Sequence, residues 1–205
     1  ASVNGLMNHA GWPECKVKVF RTQRRTWCEE EKMLTKEEYI RLLQAADNEK
    51  LRLIMQTICG TGIRISELKY FTVEAIKRGE VTVSCKNKVR VILIPSILKK
   101  KLMVYAKENR ICRGIIFFTS QGKPLDRSNL WRKMKNLCNK AQVRSSKVFP
   151  HNLRKLFART FYKAEKDIAK LADILGHGSI DTTRIYIMGT GQEHRRKIER
   201  MGLVI

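Results

Sequence analysis

The chain has 205 residues, enough for one large domain or one domain and a fragment, and its 43% apolar content supports a packed core. No apolar run reaches the roughly 18–20 residues of a membrane span, and no signal-peptide pattern opens the chain. Lysine and arginine number 42 against 19 acids, a formal net charge of +23 that exceeds what solubility needs and points to a polyanionic partner, nucleic acid first.

Residues 1–30 read poorly as an independent unit. A short apolar patch (Leu6, Met7, Trp12) is followed by the basic stretch KVKVFRTQRRTW, expected to be the tail of a preceding domain and a linker. Residues 31–205 read as one folded domain. LTKEEYIRLLQAA opens a helix: Thr35 is placed to cap it, Glu38 three residues on completes a capping box, and Leu34 and Tyr39 hold the flanking staple positions. LRLIMQTIC sets Leu51, Ile54, Met55 and Ile58 at helical spacing and stops at GTG; IRISELKYF is expected to be a third helix. The period then changes to alternation. EVTVSCKNKVRVILIP predicts two short strands joined by a turn around CKNK, and Pro95 ends the pair.

SILKKKLMVYAKE returns to helix, IIFFT is expected to be a short apolar strand, and SQGKPLD a loop. SNLWRKMKNLCNKA predicts a helix with Leu130, Met134, Leu137 and Cys138 on one face. VFPHNLRKLFARTFYKA is a helix entered through Pro150. Asp167 caps DIAKLADIL, which ends at Gly176, the residue type favoured just past a helix end. SIDTTRIYI predicts one more short helix, and EHRRKIERMGLVI a charged helix with an apolar end. The fold class is mainly α with a small antiparallel β-sheet (α+β).

Six cysteines (Cys15, Cys28, Cys59, Cys85, Cys112 and Cys138) are scattered, with no C-x-x-C pair and no zinc spacing. Free thiols in a reducing, cytoplasmic compartment are the expectation.

Breaking a phosphodiester with a protein nucleophile sets definite demands. Fixed cations must hold the nonbridging oxygens, the nucleophile must lose a proton, and the leaving 5′-oxygen must gain one. The sequence contains no DxD, no DDE-like set and no H-E-x-x-H, so metal-free, cofactor-free chemistry is expected. Arg64 in TGIRISEL follows a glycine-flanked helix break that turns it outward, and its planar fork suits two phosphate oxygens. HNLR sets His151 and Arg154 on one helix face. His177 follows a helix end, and Tyr186 lies nine residues on. A free tyrosine phenol is protonated at neutral pH, so such a nucleophile needs a base or a strong cationic field. Taken singly, each of these residues also fits an ordinary packing or loop role.

As a set and in this order, TGIRISEL, HNLRKLFA, LADILGHGSIDTTRIY and the lysine-bearing hairpin at CKNKVR resemble the tyrosine recombinases, the phage and transposon integrase family that includes the Xer proteins. The match runs from about residue 34 to 190. The resemblance implies that Arg64 fills the first arginine place with Glu67 as its acidic support, that His151 and Arg154 form the His-x-x-Arg pair, and that His177 fills the second histidine place. It implies Tyr186 as nucleophile and a hairpin lysine, Lys86 with Lys88 as rival, as the acid that protonates the leaving 5′-oxygen. Lys155 stands where the family often has histidine. Residues 1–30 would then be the end of a core-binding domain and its basic linker, and residues 31–205 the catalytic domain with its C-terminal helix.

The implied activity is site-specific recombination or integration through a 3′-phosphotyrosyl link, for a mobile element or phage. The implied partners are double-stranded DNA, further copies of the chain in a synaptic tetramer, and accessory DNA-bending proteins, in a bacterial cytoplasm. The alternatives are an Xer-like chromosome or plasmid dimer resolvase, a type IB topoisomerase-like enzyme and a non-catalytic DNA-binding relative.

Overall fold

The computed structural model describes residues 3–17, 28–85, 88–119, 121–123 and 125–203. A short helix α1 (Val3–His9) buries none of its side chains. Asn4 closes the segment after it, donating from Nδ2 to the Val17 carbonyl at 3.0 Å and accepting from the Val17 amide at 2.9 Å.

Helix α2 (Lys36–Ala45) starts as its sequence predicts. Thr35 accepts from the Glu38 amide, and Glu38 accepts in turn from the Thr35 amide at 2.9 Å. Two otherwise orphaned amides are satisfied, an arrangement that stabilises a helix start by about 1 kcal/mol. Asn48 caps α3 (Glu49–Thr61), whose buried Leu51, Ile54, Met55 and Ile58 form the expected apolar stripe. α3 ends at Gly62, which is left-handed at φ 66°. A β-carbon there would meet Cδ1 of Phe157 at 2.4 Å, so the residue also permits a close helix approach.

The segment expected to be a third α-helix is a 3-10 helix instead, Ile65–Tyr70, with Arg64 at its N-cap. Thr72 then caps α4 (Val73–Arg78), and β1 (Glu80–Cys85) pairs antiparallel with β2 (Lys88–Leu93) from Glu80↔Leu93 to Cys85↔Lys88. Val81, Val83 and Ile92 turn inward. α5 (Ser96–Glu108) matches its predicted span. The IIFFT segment is not a strand. An isolated antiparallel bridge joins Ile115 to Thr72, with amide bonds Val73 to Gly114 and Ile116 to Phe71, too few to extend a ladder there. Ile116 and Phe117 are nevertheless buried.

The predicted Leu130 helix divides at Leu137 into α6 (Arg127–Asn136) and α7 (Cys138–Ala141). Leu130, Met134 and Cys138 are buried and Leu137 packs partly against the same core. α8 (Pro150–Glu165), α9 (Ile168–Leu175), α10 (Ile180–Ile187) and α11 (Gly191–Glu199) complete the order. α11 ends at Glu199, so Met201, Gly202 and Leu203 of its predicted extension lie outside the helix, and Val204 and Ile205 lie outside the described residues.

The main apolar core joins α2–α8 and the sheet. A smaller cluster of Ala158, Leu171, Leu175 and Tyr186, with Phe157 and Phe161 against it, joins α8, α9 and α10. α8 belongs to both and is fastened at its base. Asn152 donates to the carbonyls of Lys32 and Lys147, each at 2.8 Å, and Arg159 donates to that of Leu34. Among the described residues, Cys15, Cys28, Cys59, Cys112 and Cys138 are free thiols, and no helix is long and apolar enough to cross a membrane.

Candidate active site

Five residues that the sequence singles out, Arg64, His151, Arg154, His177 and Tyr186, meet at the seam between the two clusters. The hairpin lysine Lys86 lies outside the described residues, as does the side chain of Lys88.

Arg154 is the centre of the group. It projects from the first turns of α8 and is only 1% exposed. A guanidinium this deep must be hydrogen-bonded. Nη1 donates to the Gly62 carbonyl at the end of α3, and Nη2 to the Leu175 carbonyl at the end of α9, the latter at 2.6 Å. Both acceptors are carbonyls that helix ends leave without an intrahelical partner, so Arg154 ties together the ends of two helices. Its Nε is buried with no hydrogen-bond partner among the described residues. Burial and the neighbouring Arg64 push Arg154 down to about 10, which leaves it charged at neutral pH.

Arg64 is held from the other side. Glu67 accepts from the Arg64 amide at 2.7 Å and from Nη1 at 3.1 Å, and the Gly176 carbonyl accepts from Nη2 at 3.4 Å. Glu67 is 2% exposed. Burial alone would raise its carboxyl; the bonds from Arg90 and Arg64 outweigh that and hold it below the ordinary carboxylate value.

His177 sits in the turn after Gly176. Its Nε2 lies 3.2 Å from Arg154 Nη2, and its Nδ1 lies 2.8 Å from Thr183 Oγ1. α10 presents Thr183 and Tyr186, one turn apart, on a single buried face. The Tyr186 ring is 9% exposed and packs edge-on to His177 with centroids 4.6 Å apart and to His151 at 4.9 Å. The Arg154 guanidinium carbon lies 5.8 Å from the same ring. His151 opens onto the solvent cleft. Both histidines are lowered to about 4, by burial first and then by the cations around them, so both are neutral at pH 7.

A cleft of about 730 Å³ leads to this group, lined by Arg64, Arg127, Ser128, Trp131, His151 and Arg154. Arg64, Arg127 and Arg154 line this cleft, with Arg90 behind Glu67, so its floor is positive and suited to an anion with several oxygens.

Sequence reasoning did not single out Arg90 or Thr183. Arg90 donates to Glu67 Oε2 at 2.7 Å, and its signal was a cation at an inward position of an alternating strand. Thr183 stands one helical turn before Tyr186, a spacing that marks it as sharing that face.

A helical domain with one small antiparallel sheet, carrying this arginine, histidine and tyrosine set in this order, defines the catalytic domain of a tyrosine recombinase. Residues 32–193 match the phage integrase family, and the chain belongs to it. It is 33% identical over 182 residues to tyrosine recombinase XerA of Pyrococcus furiosus, across 84% of this chain and 63% of that protein. The crystal structure of XerA recombinase superposes with a TM-score of 0.71 at 25% identity, covering 84% of this chain and 66% of that one. XerH site-specific recombinase bound to difH substrate shares the fold, with a TM-score of 0.65 at 23% identity over 82% of this chain and 52% of that one. The chain thus spans between about half and two thirds of the curated relatives it matches.

Proposed function

We propose that this chain is the catalytic part of a site-specific DNA recombinase or integrase that cuts a DNA strand with Tyr186 and rejoins it to another. The observation that carries the reading is the position of the Tyr186 ring, packed edge-on between His151 and His177 with Arg154 beside it. Residues from two helices, α8 and α10, and from two turns converge there on the positive end of one cleft.

In this reading the Tyr186 oxygen attacks the scissile phosphorus and forms a 3′-phosphotyrosyl bond as the bond to the 5′-oxygen breaks. Arg64 and Arg154 hold the nonbridging oxygens; removing one such donor slows comparable reactions about 10²–10³-fold. His177 completes that oxygen-binding set once the phosphate draws Arg154 Nη2 away from Nε2 and the ring proton stands on Nε2, with Thr183 Oγ1 then donating to Nδ1. His151 helps move the phenol proton, its ring packed against that of Tyr186. A resting value near 4 makes it a weak base, but a phosphate dianion-like charge beside it favours the protonated ring and raises that value in the complex. Lys86, between β1 and β2, gives the 5′-oxygen its proton. The bond energy stays in the covalent link, so religation to a partner strand needs no nucleotide.

Double-stranded DNA is the substrate in this reading, supported by the charge of +23 and by the DNA-bound XerH relative. The working assembly is a tetramer on two DNA sites, aided by DNA-bending proteins, in the bacterial cytoplasm. Residues 1–30 are the end of a core-binding domain and its linker. The service is integration or excision of a mobile element or phage.

The test is a nicked duplex carrying the recombination site, from which the cut fragment diffuses away and traps the intermediate. A denaturant-resistant protein–DNA adduct that forms with the parent and is lost in Tyr186→Phe supports the reading. An adduct that persists in Tyr186→Phe refutes it.

A further inference from the structure

Arg90 occupies a position where the alternation of β2 asks for an apolar side chain. Val89, Val91 and Leu93 point to solvent at 69%, 55% and 74% exposure, whereas Ile92 is buried and the Arg90 side chain is only 13% exposed. Inward positions of a half-buried strand normally carry the apolar residues. Placing a guanidinium there is unfavourable unless it is paired and hydrogen-bonded.

Its pairing is specific. Nη2 donates to Glu67 Oε2 at 2.7 Å, the same carboxylate that holds the Arg64 amide and Nη1. One buried acid therefore fixes two guanidiniums relative to each other. On its other side Arg90 lies close against Gly176. A β-carbon on that glycine would be 2.7 Å from Arg90 Nη1 and 2.9 Å from Cδ. Gly176 immediately precedes His177, and its carbonyl accepts from Arg64. Arg90 Nε remains buried with no hydrogen-bond partner among the described residues. A side chain serving only to fill the strand would be apolar and leave no such atom behind.

We propose that Arg90 is a positioning residue for strand cleavage: through Glu67 it sets the Arg64 guanidinium, and through Gly176 it sets the His177 turn, at the spacing that receives the nonbridging oxygens. The proposal rests on Arg64 and His177 being the oxygen ligands of the reading above. Arg90 does not touch the phosphate in this role; it acts through its two neighbours. Lysine can meet the Glu67 charge but lacks the planar fork that also lies along Gly176.

The experiment measures first-order cleavage at saturating nicked duplex, with the scissile position either a normal phosphodiester or a methylphosphonate, whose methyl group replaces one charged oxygen. The whole protein is compared with its Arg90→Met, Arg90→Lys and Tyr186→Phe variants. Misplacing the clamp by about 1 Å slows the phosphodiester about 10²-fold in Arg90→Met, with DNA affinity close to that of the parent. On the neutral methylphosphonate the deficit shrinks, because less charge needs the clamp. Arg90→Lys falls between Met and parent and carries the test should Arg90→Met lack a cooperative melt. Equal deficits on both substrates, or parental rates on the phosphodiester, overturn the proposal and leave the tyrosine reading standing. An adduct in Tyr186→Phe overturns that underlying reading instead.

Discussion

Arg154 and His177 meet at 3.2 Å between Nη2 and Nε2, and this contact fixes the histidine's proton. A guanidinium nitrogen can only donate, so Nε2 must offer its lone pair. The ring proton is then on Nδ1, donated to Thr183 Oγ1 at 2.8 Å. Thr183→Val keeps the shape and removes the acceptor, leaving a buried N–H unsatisfied, a loss of about 1–3 kcal/mol. Cleavage is expected to slow about 10-fold or more as the ring loses its orientation. Single-turnover rates and the imidazole nitrogen resonances check the two parts separately.

The same pair makes stability depend on acid. His177 is ordinary near 6.5 when unfolded and about 4 when folded. Its folded value is depressed, so above pH 6.5 both states are neutral and no difference arises. As pH falls from 6.5 towards 4, the unfolded chain takes up a proton that the folded protein resists, and stability declines. Arg154, Arg64, Arg90 and His151 all surround the ring and oppose its charge. His151 acts in the same direction, less strongly where it reaches solvent, against Lys155, Arg154, Arg64 and Arg127. Urea unfolding at pH 7.5, 5.5 and 4.5 is expected to show falling midpoints, and His177→Gln to flatten that slope.

Gly62 joins backbone conformation to the site. An added methyl would strike Phe157 Cδ1 at 2.4 Å and Cε1 at 2.6 Å, in a left-handed conformation at φ 66°. Gly62→Ala is expected to destabilise the domain by about 1–3 kcal/mol, read as a lower melting temperature. The Gly62 carbonyl also accepts from Arg154, so cleavage at a temperature well below the melt should fall as well. Gly60→Ala is the control: its β-carbon would meet Leu98 Cδ2 at an ordinary 3.7 Å.

DNA binding is expected to fall steeply with salt. An interface with six to ten phosphate contacts loses about 10³–10⁵ in affinity between roughly 50 and 200 mM salt. Fluorescence anisotropy of a labelled duplex across that range checks it, and a flat response would contradict a phosphate-dominated interface.

The helices were legible where local chemistry decides them. Thr35 with Glu38, Asp167 and Gly176 do at the helix ends what their types predict. The segment after Gly62 was not legible in the same way. Its apolar spacing fits an α-helix, but Arg64 must bond back to Glu67 three residues on, and the tighter 3-10 turn meets that demand. IIFFT has strand composition, yet strand formation needs a partner edge, and the described residues give the segment isolated bridges, such as Ile115 to Thr72, rather than a ladder. Period and propensity do not report whether such an edge exists.

The sequence by itself determined the class of fold, the charge and the order of the motifs, because periodicity, capping and residue chemistry are local properties; the five side chains were singled out as a set through the resemblance of those motifs to a known family. Tertiary structure alone decided how they meet. Arg154 is buried to tie the ends of α3 and α9, Glu67 is shared by two arginines, and the Arg154 contact sets the His177 tautomer that faces Thr183. These relations join residues up to 92 positions apart in the chain. Each depends on the direction and burial of a side chain after packing, which no local pattern encodes.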